Sequence, residues 1–214
     1  MKHAWKGLRL KKKDSNQSLF KQSNMINFQN NKPFVEGVAI EDIVASHPTP
    51  LYIYSQKKIE DRYKKLKNAL NAEIFYAVKA NSNQAIIKLM SRLEAGADVV
   101  SVGELERAIK AGMDPKKIIF EGIGKTNKDI SFAINNNIRL INVESIDEIQ
   151  RIDNVARKSN NIVDIGIRLN PNIDGQTIDK ISTGKKTDKF GIDTDKLQDI
   201  FQVLENAKNI NLVG

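Results

Sequence analysis

Lys79 is the residue of this chain whose type and position most readily suggest chemistry. It ends the run Ile74-Phe75-Tyr76-Ala77-Val78, whose apolar and β-branched character predicts a short buried strand. Ser82, Asn83 and Gln84 follow, and the stripe Ile86, Ile87, Leu89, Met90 and Leu93 then predicts a helix. Lys79 therefore stands at the carboxyl end of a parallel strand, the place where α/β folds collect ligands and reacting groups. Partly desolvated there, its amine can shed a proton and attack a carbonyl. A solvated lysine with its stem over apolar surface is the plainer alternative.

The elements that must hold Lys79 recur. Strands are expected to begin near Ile74, Ala97, Lys117, Arg139 and Ile162, each followed by a helical pattern, with Asn211–Gly214 opening a sixth. This alternation of apolar strands and helices argues for parallel βα units. Thr126-x-x-Asp129 and Ser145-x-x-Glu148 are capping-box signatures at two of the helix starts. Upstream, residues 25–38 read as a short strand and turn, Ile40–Ala45 as one or two helical turns, and Leu51–Tyr54 as a strand. Ser55 can cap a helix striped by Ile59, Tyr63, Leu66 and Leu70.

Polar residues gather at the expected carboxyl ends of these strands. Ser101 and Glu104 follow the second, Gly122 to Lys125 the third and Glu144 the fourth, while Arg168 and Asn170 close the fifth. Such clustering points to one site on one face. Arg168 lies within the apolar run Ile165-Gly-Ile-Arg-Leu169, so its guanidinium needs a partner, either a ligand or a structural ion pair. Glu104 either orients Lys79 or lies in the first turn of a helix, where an acid favours the dipole. Asp98 is near a strand end, and its alternation with Val99 leaves its face open. Gly122-Ile-Gly-Lys-Thr126 is not a P-loop, because the first required glycine position is Ile119. A tight turn before a capped helix accounts for it.

Tyr76-Ala-Val-Lys-Ala-Asn81 and Gly96-Ala-Asp-Val-Val-Ser-Val-Gly-Glu-Leu105 resemble the pyridoxal-phosphate decarboxylases of the alanine-racemase-like barrel. Further matches follow in order: Phe120–Thr126, Ile141–Ser145, Ile167–Pro171, Lys180–Gly184 and Lys189–Ile192. As an ordered set they are most similar to the diaminopimelate branch of that family. The resemblance implies an α/β fold, an incomplete TIM-like (β/α)8 barrel of fold-type III with five to six βα units present. It also implies pyridoxal 5′-phosphate as cofactor, with Lys79 carrying it and Asp98, Glu104 and Arg168 around it. Ser101, Asn170 and Lys189 would border the substrate. The implied reaction is a carbon–carbon lyase step, meso-diaminopimelate to L-lysine and carbon dioxide, in lysine biosynthesis.

Ornithine, arginine or carboxynorspermidine decarboxylation is the alternative within the family, and a non-catalytic fragment or half of a split enzyme the alternative outside it. The resemblance covers residues from about Met25 to Gly214 and implies an N-terminal portion, truncated within the sixth strand and inactive alone. It further implies a small amino-acid substrate, a homodimeric family and a possible missing C-terminal half. One departure falls in the Lys180 segment. The family has Thr-His-x-Lys, whereas Thr177 is here followed by Ile178 and Asp179.

Composition narrows the rest. The 214 residues include no cysteine and only His3 and His47, which removes thiolate chemistry and leaves no metal site of several histidines. Of the net +8, most lies in residues 1–24, where Lys2, Lys6, Arg9, Lys11, Lys12, Lys13 and Lys21 face Asp14 alone. These residues read as a basic, disordered leader. Residues 25–55 read as the N-terminal strand segment and 56–214 as the partial barrel. No nucleic-acid module, membrane span or secretory signal is evident, and a cytoplasmic location is expected.

Overall fold

The computed structural model describes residues 25–171, 173 and 190–214. The chain divides into two compact units, one running to Glu73 and the other from Ile74 to Gly214.

In the first unit, β1 (Ile26–Gln29), β2 (Lys32–Val35) and β3 (Val38–Ala39) form an antiparallel meander. Asn30 and Asn31, at φ 49° and 61°, make its first turn, with the left-handed pair that a two-residue hairpin requires. α1 (Ile40–Ser46) and α2 (Gln56–Ala69) follow. Ser55 caps α2 by accepting from the Lys58 N–H at 3.1 Å, and it donates to Glu36 at 2.5 Å. That bond, with the Lys57 N–H, holds the Glu36 carboxyl below the usual range. Leu51–Tyr54 is not a strand, contrary to its pattern. Tyr52 and Tyr54 are 89% and 55% exposed, and no strand among the described residues pairs with the segment. An extended sequence without a ladder stays irregular.

The second unit repeats one motif. Its strands are β4 (Phe75–Ala77), β5 (Gly96–Val99), β6 (Ile118–Phe120), β7 (Leu140–Val143), β8 (Val163–Ile167) and, after the short β9 (Leu169–Asn170) and β10 (Ile192–Asp193), β11 (Ile210–Leu212). The helices between them are α3 (Gln84–Arg92), α4 (Val102–Lys110), α5 (Asn127–Asn135), α6 (Ile146–Lys158) and α7 (Leu197–Asn206). The sheet order is β4-β5-β6-β7-β8-β11, with every pair parallel. Neighbours in sequence are neighbours in space, the winding of a barrel wall rather than of a doubly wound sheet.

Alternation divides the sheet into two faces. Ala97, Val99, Ile118, Phe120, Ile141, Val143 and Ile165 are at most 1% exposed and pack in one cluster with helical Leu105, Ile130, Ile149 and Ile200. Burying each large member contributes about 1.5–3 kcal/mol. The pleat turns Asp98, Glu121 and Asn142 to the other face. The helices return to the sheet by the same device: α3, α4 and α6 each end in a Schellman motif, with Glu94, Gly112 or Asn160 in the left-handed position. Among the described residues, no helix is long and apolar enough to cross a membrane.

Candidate active site

Lys79 lies in a 3-10 turn, Val78–Ala80, that caps the carboxyl end of β4. Val78 beside it is fully buried, the Tyr76 hydroxyl donates to the Asn81 carbonyl at 2.8 Å, and Asn83 caps α3 by accepting from the Ala85 N–H at 2.9 Å. The backbone is thus fixed while the lysine side chain is exposed.

Asp98 pairs across the sheet with Ala77 on one side and Ile119 on the other, which puts its side chain on the face opposite the apolar cluster. Its Oδ1 is buried and has no hydrogen-bond partner among the described residues. Burial pushes its carboxyl above the usual range, and the charge of Glu121 pushes it further. Lys79 pulls it down, Glu104 adds to the rise, and Arg168 opposes it. The charges of these four residues thus all act on one carboxyl group. Glu121 in turn accepts from the Asn142 Nδ2–H, and Gly166 stands where a Cβ would collide with Asn142 Oδ1.

Glu104 lies in the first turn of α4, one of the two places expected for it. Its Oε2 accepts from the Val100 N–H at 2.9 Å, and its own N–H donates to Ser101 Oγ at 3.2 Å, so both residues are engaged at the start of α4.

A second polar group stands over β6, β7 and β8. Arg168 Nη1 donates to Glu144 Oε1 at 3.0 Å, and its guanidinium lies 4.9 Å from the Phe190 ring centre. Glu144 Oε2 accepts from the Gly191 N–H at 2.8 Å. Lys125 is 3% exposed and bonds to the Gly122 and Asn142 carbonyls and to Glu148. It is closed to a ligand, so the Gly122–Lys125 turn contributes no open cation to the site. Asn170 is buried in β9, paired with Asp193. Lys189, Lys180–Gly184 and the Thr177 departure lie outside the described residues.

Sequence reasoning missed Glu121 and Asn142. Both sit in or beside short strands whose inward face becomes evident only once the register is known. The surroundings of Lys79 suit a group with an aldehyde and a ring to be held: an exposed amine, an unsatisfied carboxyl oxygen and a cation lie at the ends of β4, β5 and β8.

This combination of sheet and lysine defines a class. The chain belongs to the pyridoxal-dependent decarboxylases, residues 56–214 matching the pyridoxal binding domain of that family. More narrowly, it is 38% identical over 198 residues to a diaminopimelate decarboxylase of Aquifex aeolicus, covering 92% of this chain and 47% of that relative. The crystal structure of diaminopimelate decarboxylase from Helicobacter pylori complexed with L-lysine matches with a TM-score of 0.78 and 40% identity, over 81% of this chain and 45% of that one. The M. jannaschii enzyme in co-complex with L-lysine matches with a TM-score of 0.79 and 34% identity, over 89% and 46%. The six-stranded sheet is thus part of the fold-type III barrel, as expected. The chain spans about half the length of the curated relatives it matches.

Proposed function

We propose that this chain is the cofactor-holding part of a diaminopimelate decarboxylase that converts meso-diaminopimelate to L-lysine and carbon dioxide. The observation that carries the reading is the exposed Lys79 amine on a rigid turn, on the same sheet end as Asp98 and Arg168. The relatives that match across most of the chain are named for this reaction, and two of them hold L-lysine.

Pyridoxal phosphate, when bound, supplies an electron-accepting ring for the charge left on carbon as carbon dioxide departs. The chain's own residues bind and orient. Lys79 would hold the cofactor through its amine, and the fully buried Val78 beneath it keeps that amine at the strand end. Asp98 offers an oxygen with no partner among the described residues, and burial together with Glu121 favours its protonated form, which can donate as well as accept. Arg168 keeps one third of its side chain open while Glu144 fixes its position, so its exposed guanidinium can meet an anionic group of cofactor or substrate. Ser101 and Glu104 act by holding the start of α4, and Asn170 borders the same edge from β9.

Mixing the purified chain with pyridoxal phosphate, reducing with borohydride and mapping the labelled peptides tests this. Label concentrated on Lys79 is expected, and meso-diaminopimelate added before the borohydride should lower that label more than ornithine or arginine does. Label scattered over surface lysines would overturn the assignment of Lys79, and a greater loss of label with ornithine or arginine would move the substrate.

A further inference from the structure

We propose that Lys125 and Glu148, which touch neither cofactor nor substrate in the reading above, are positioning residues that set the Arg168 guanidinium. They act through an uninterrupted relay. Lys125 Nζ donates to Glu148 Oε1 at 3.1 Å, and Glu148 Oε2 accepts from the Glu144 N–H at 2.8 Å. The Glu144 carboxylate then holds Arg168 at 3.0 Å with one oxygen and the Gly191 N–H at 2.8 Å with the other.

No member has slack. The ammonium has three donors, and all three are used, on the Gly122 carbonyl at 2.6 Å, the Asn142 carbonyl at 2.7 Å and Glu148. Both oxygens of both glutamates are used. Lys125 and Glu148 are each 2% exposed in their side chains and Glu144 is 3% exposed, whereas Arg168 at the end of the relay is 33% exposed. Burial thus runs down a gradient that ends on the one member able to meet a ligand. The four formal charges cancel, so Arg168 is left as a directed donor rather than as a source of net positive field.

The relay also crosses the sheet. Lys125 comes from the turn after β6, Glu144 and Glu148 from the β7–α6 junction, and Arg168 from the end of β8. A buried pair joining three successive strand ends fixes the geometry of the last by packing and hydrogen bonding, as supporting groups do around ligand-binding side chains. The proposal rests on the reading of Arg168 as a ligand-facing residue.

Glu148→Gln is the informative change. Its amide has one oxygen and one donor nitrogen, so it cannot keep the present arrangement, in which Lys125 and the Glu144 N–H are each met by a different oxygen. The primary readout uses the chain without cofactor: the rate at which phenylglyoxal modifies Arg168, followed by peptide mass spectrometry. An increase of about tenfold is expected in Glu148→Gln, the scale on which loss of an orienting partner is felt. Ile152→Val, one turn along α6 and fully buried, is the control for general loosening. An Arg168 rate equal to wild type, or raised no more than in Ile152→Val, would make the pair merely structural and overturn the proposal.

Should Glu148→Gln fail to fold, Glu148→Asp keeps the charge but shortens the reach, and the same rates decide. The apparent affinity for pyridoxal phosphate at Lys79 is the second readout, expected to fall in Glu148→Gln and hold in Ile152→Val. If wild type takes no label at Lys79, the cofactor reading fails, while the arginine rates still decide the relay.

Discussion

Lys125 and Lys79 both follow strands of one parallel sheet, β6 and β4, yet they live under opposite conditions. Lys125 is buried, with every donor occupied by two carbonyls and Glu148. Lys79 is exposed, and the carboxyl group that feels its charge, Asp98, keeps a buried oxygen without a hydrogen-bond partner among the described residues. The same contrast separates their acids. Glu144 and Glu148 spend both oxygens on protein donors, whereas Asp98 is pushed toward its protonated form by burial and by a neighbouring acid. A saturated group of charges can only hold a shape. A group with unspent donors and acceptors can bind something.

The largest effect that would test this contrast comes from deleting one side of the closed pair. Lys125→Met strands the buried Glu148 carboxylate and should cost about 3–5 kcal/mol in denaturant unfolding, as loss of one partner of a buried ion pair does. Lys79→Met should change stability by no more than about 0.5 kcal/mol, the ordinary range for exposed positions. Adding Glu148→Gln to Lys125→Met removes the stranded charge and should recover part of the loss, a coupling that a double-mutant cycle reads. Equal costs for the two lysines would erase the distinction between a holding and a working cluster.

An intermediate effect is expected at Gly166. A Cβ there would collide with Asn142 Oδ1, and the side chain would have to swing away and abandon its bond to Glu121. Gly166→Ala should cost about 1–3 kcal/mol, the usual scale for overpacking. It should also leave Glu121 free to act more strongly on Asp98. A thermal midpoint unchanged from wild type would show that Asn142 has room to move and that the glycine is not what couples β7 to β8.

The sequence carried the repeating part of this architecture well. The expected strand starts at Ile74, Ala97, Lys117, Arg139 and Ile162 fall within one residue of those observed, because hydrophobic alternation between buried strands and amphipathic helices is a local signal. The Thr126–Asp129 capping box is present in full. In Ser145–Glu148 the serine caps as expected, but the acid reaches past it to the Glu144 N–H and to Lys125. A motif legible as a helix start thus turned out to anchor a relay whose other members lie on different strands. Leu51–Tyr54 failed for the complementary reason: strand character in a sequence does not supply a partner. Glu121 and Asn142 were illegible because only register decides which face a residue in a three- or four-residue strand occupies.

The smallest effect belongs to Asp98, and its sign distinguishes the two clusters most sharply. A carboxyl group raised in the folded state binds its proton more tightly there than in the unfolded chain. Its contribution to stability is therefore complete below the unfolded value of about 3.9 and is lost as pH rises through the folded value. Asp98→Asn, which never ionises, should show no such loss. Relative to that variant, wild type should grow less stable as pH rises from about 4 toward neutrality, measured as the difference in denaturant midpoints. Glu121→Gln removes one of the charges that push the group up, so the window should narrow in that background. A saturated, well-paired carboxylate would give the opposite slope, gaining stability with pH. A flat difference across the range, or that opposite slope, would mean that the Asp98 carboxyl is not held above its unfolded value, and the contrast between an open and a closed cluster would fall with it.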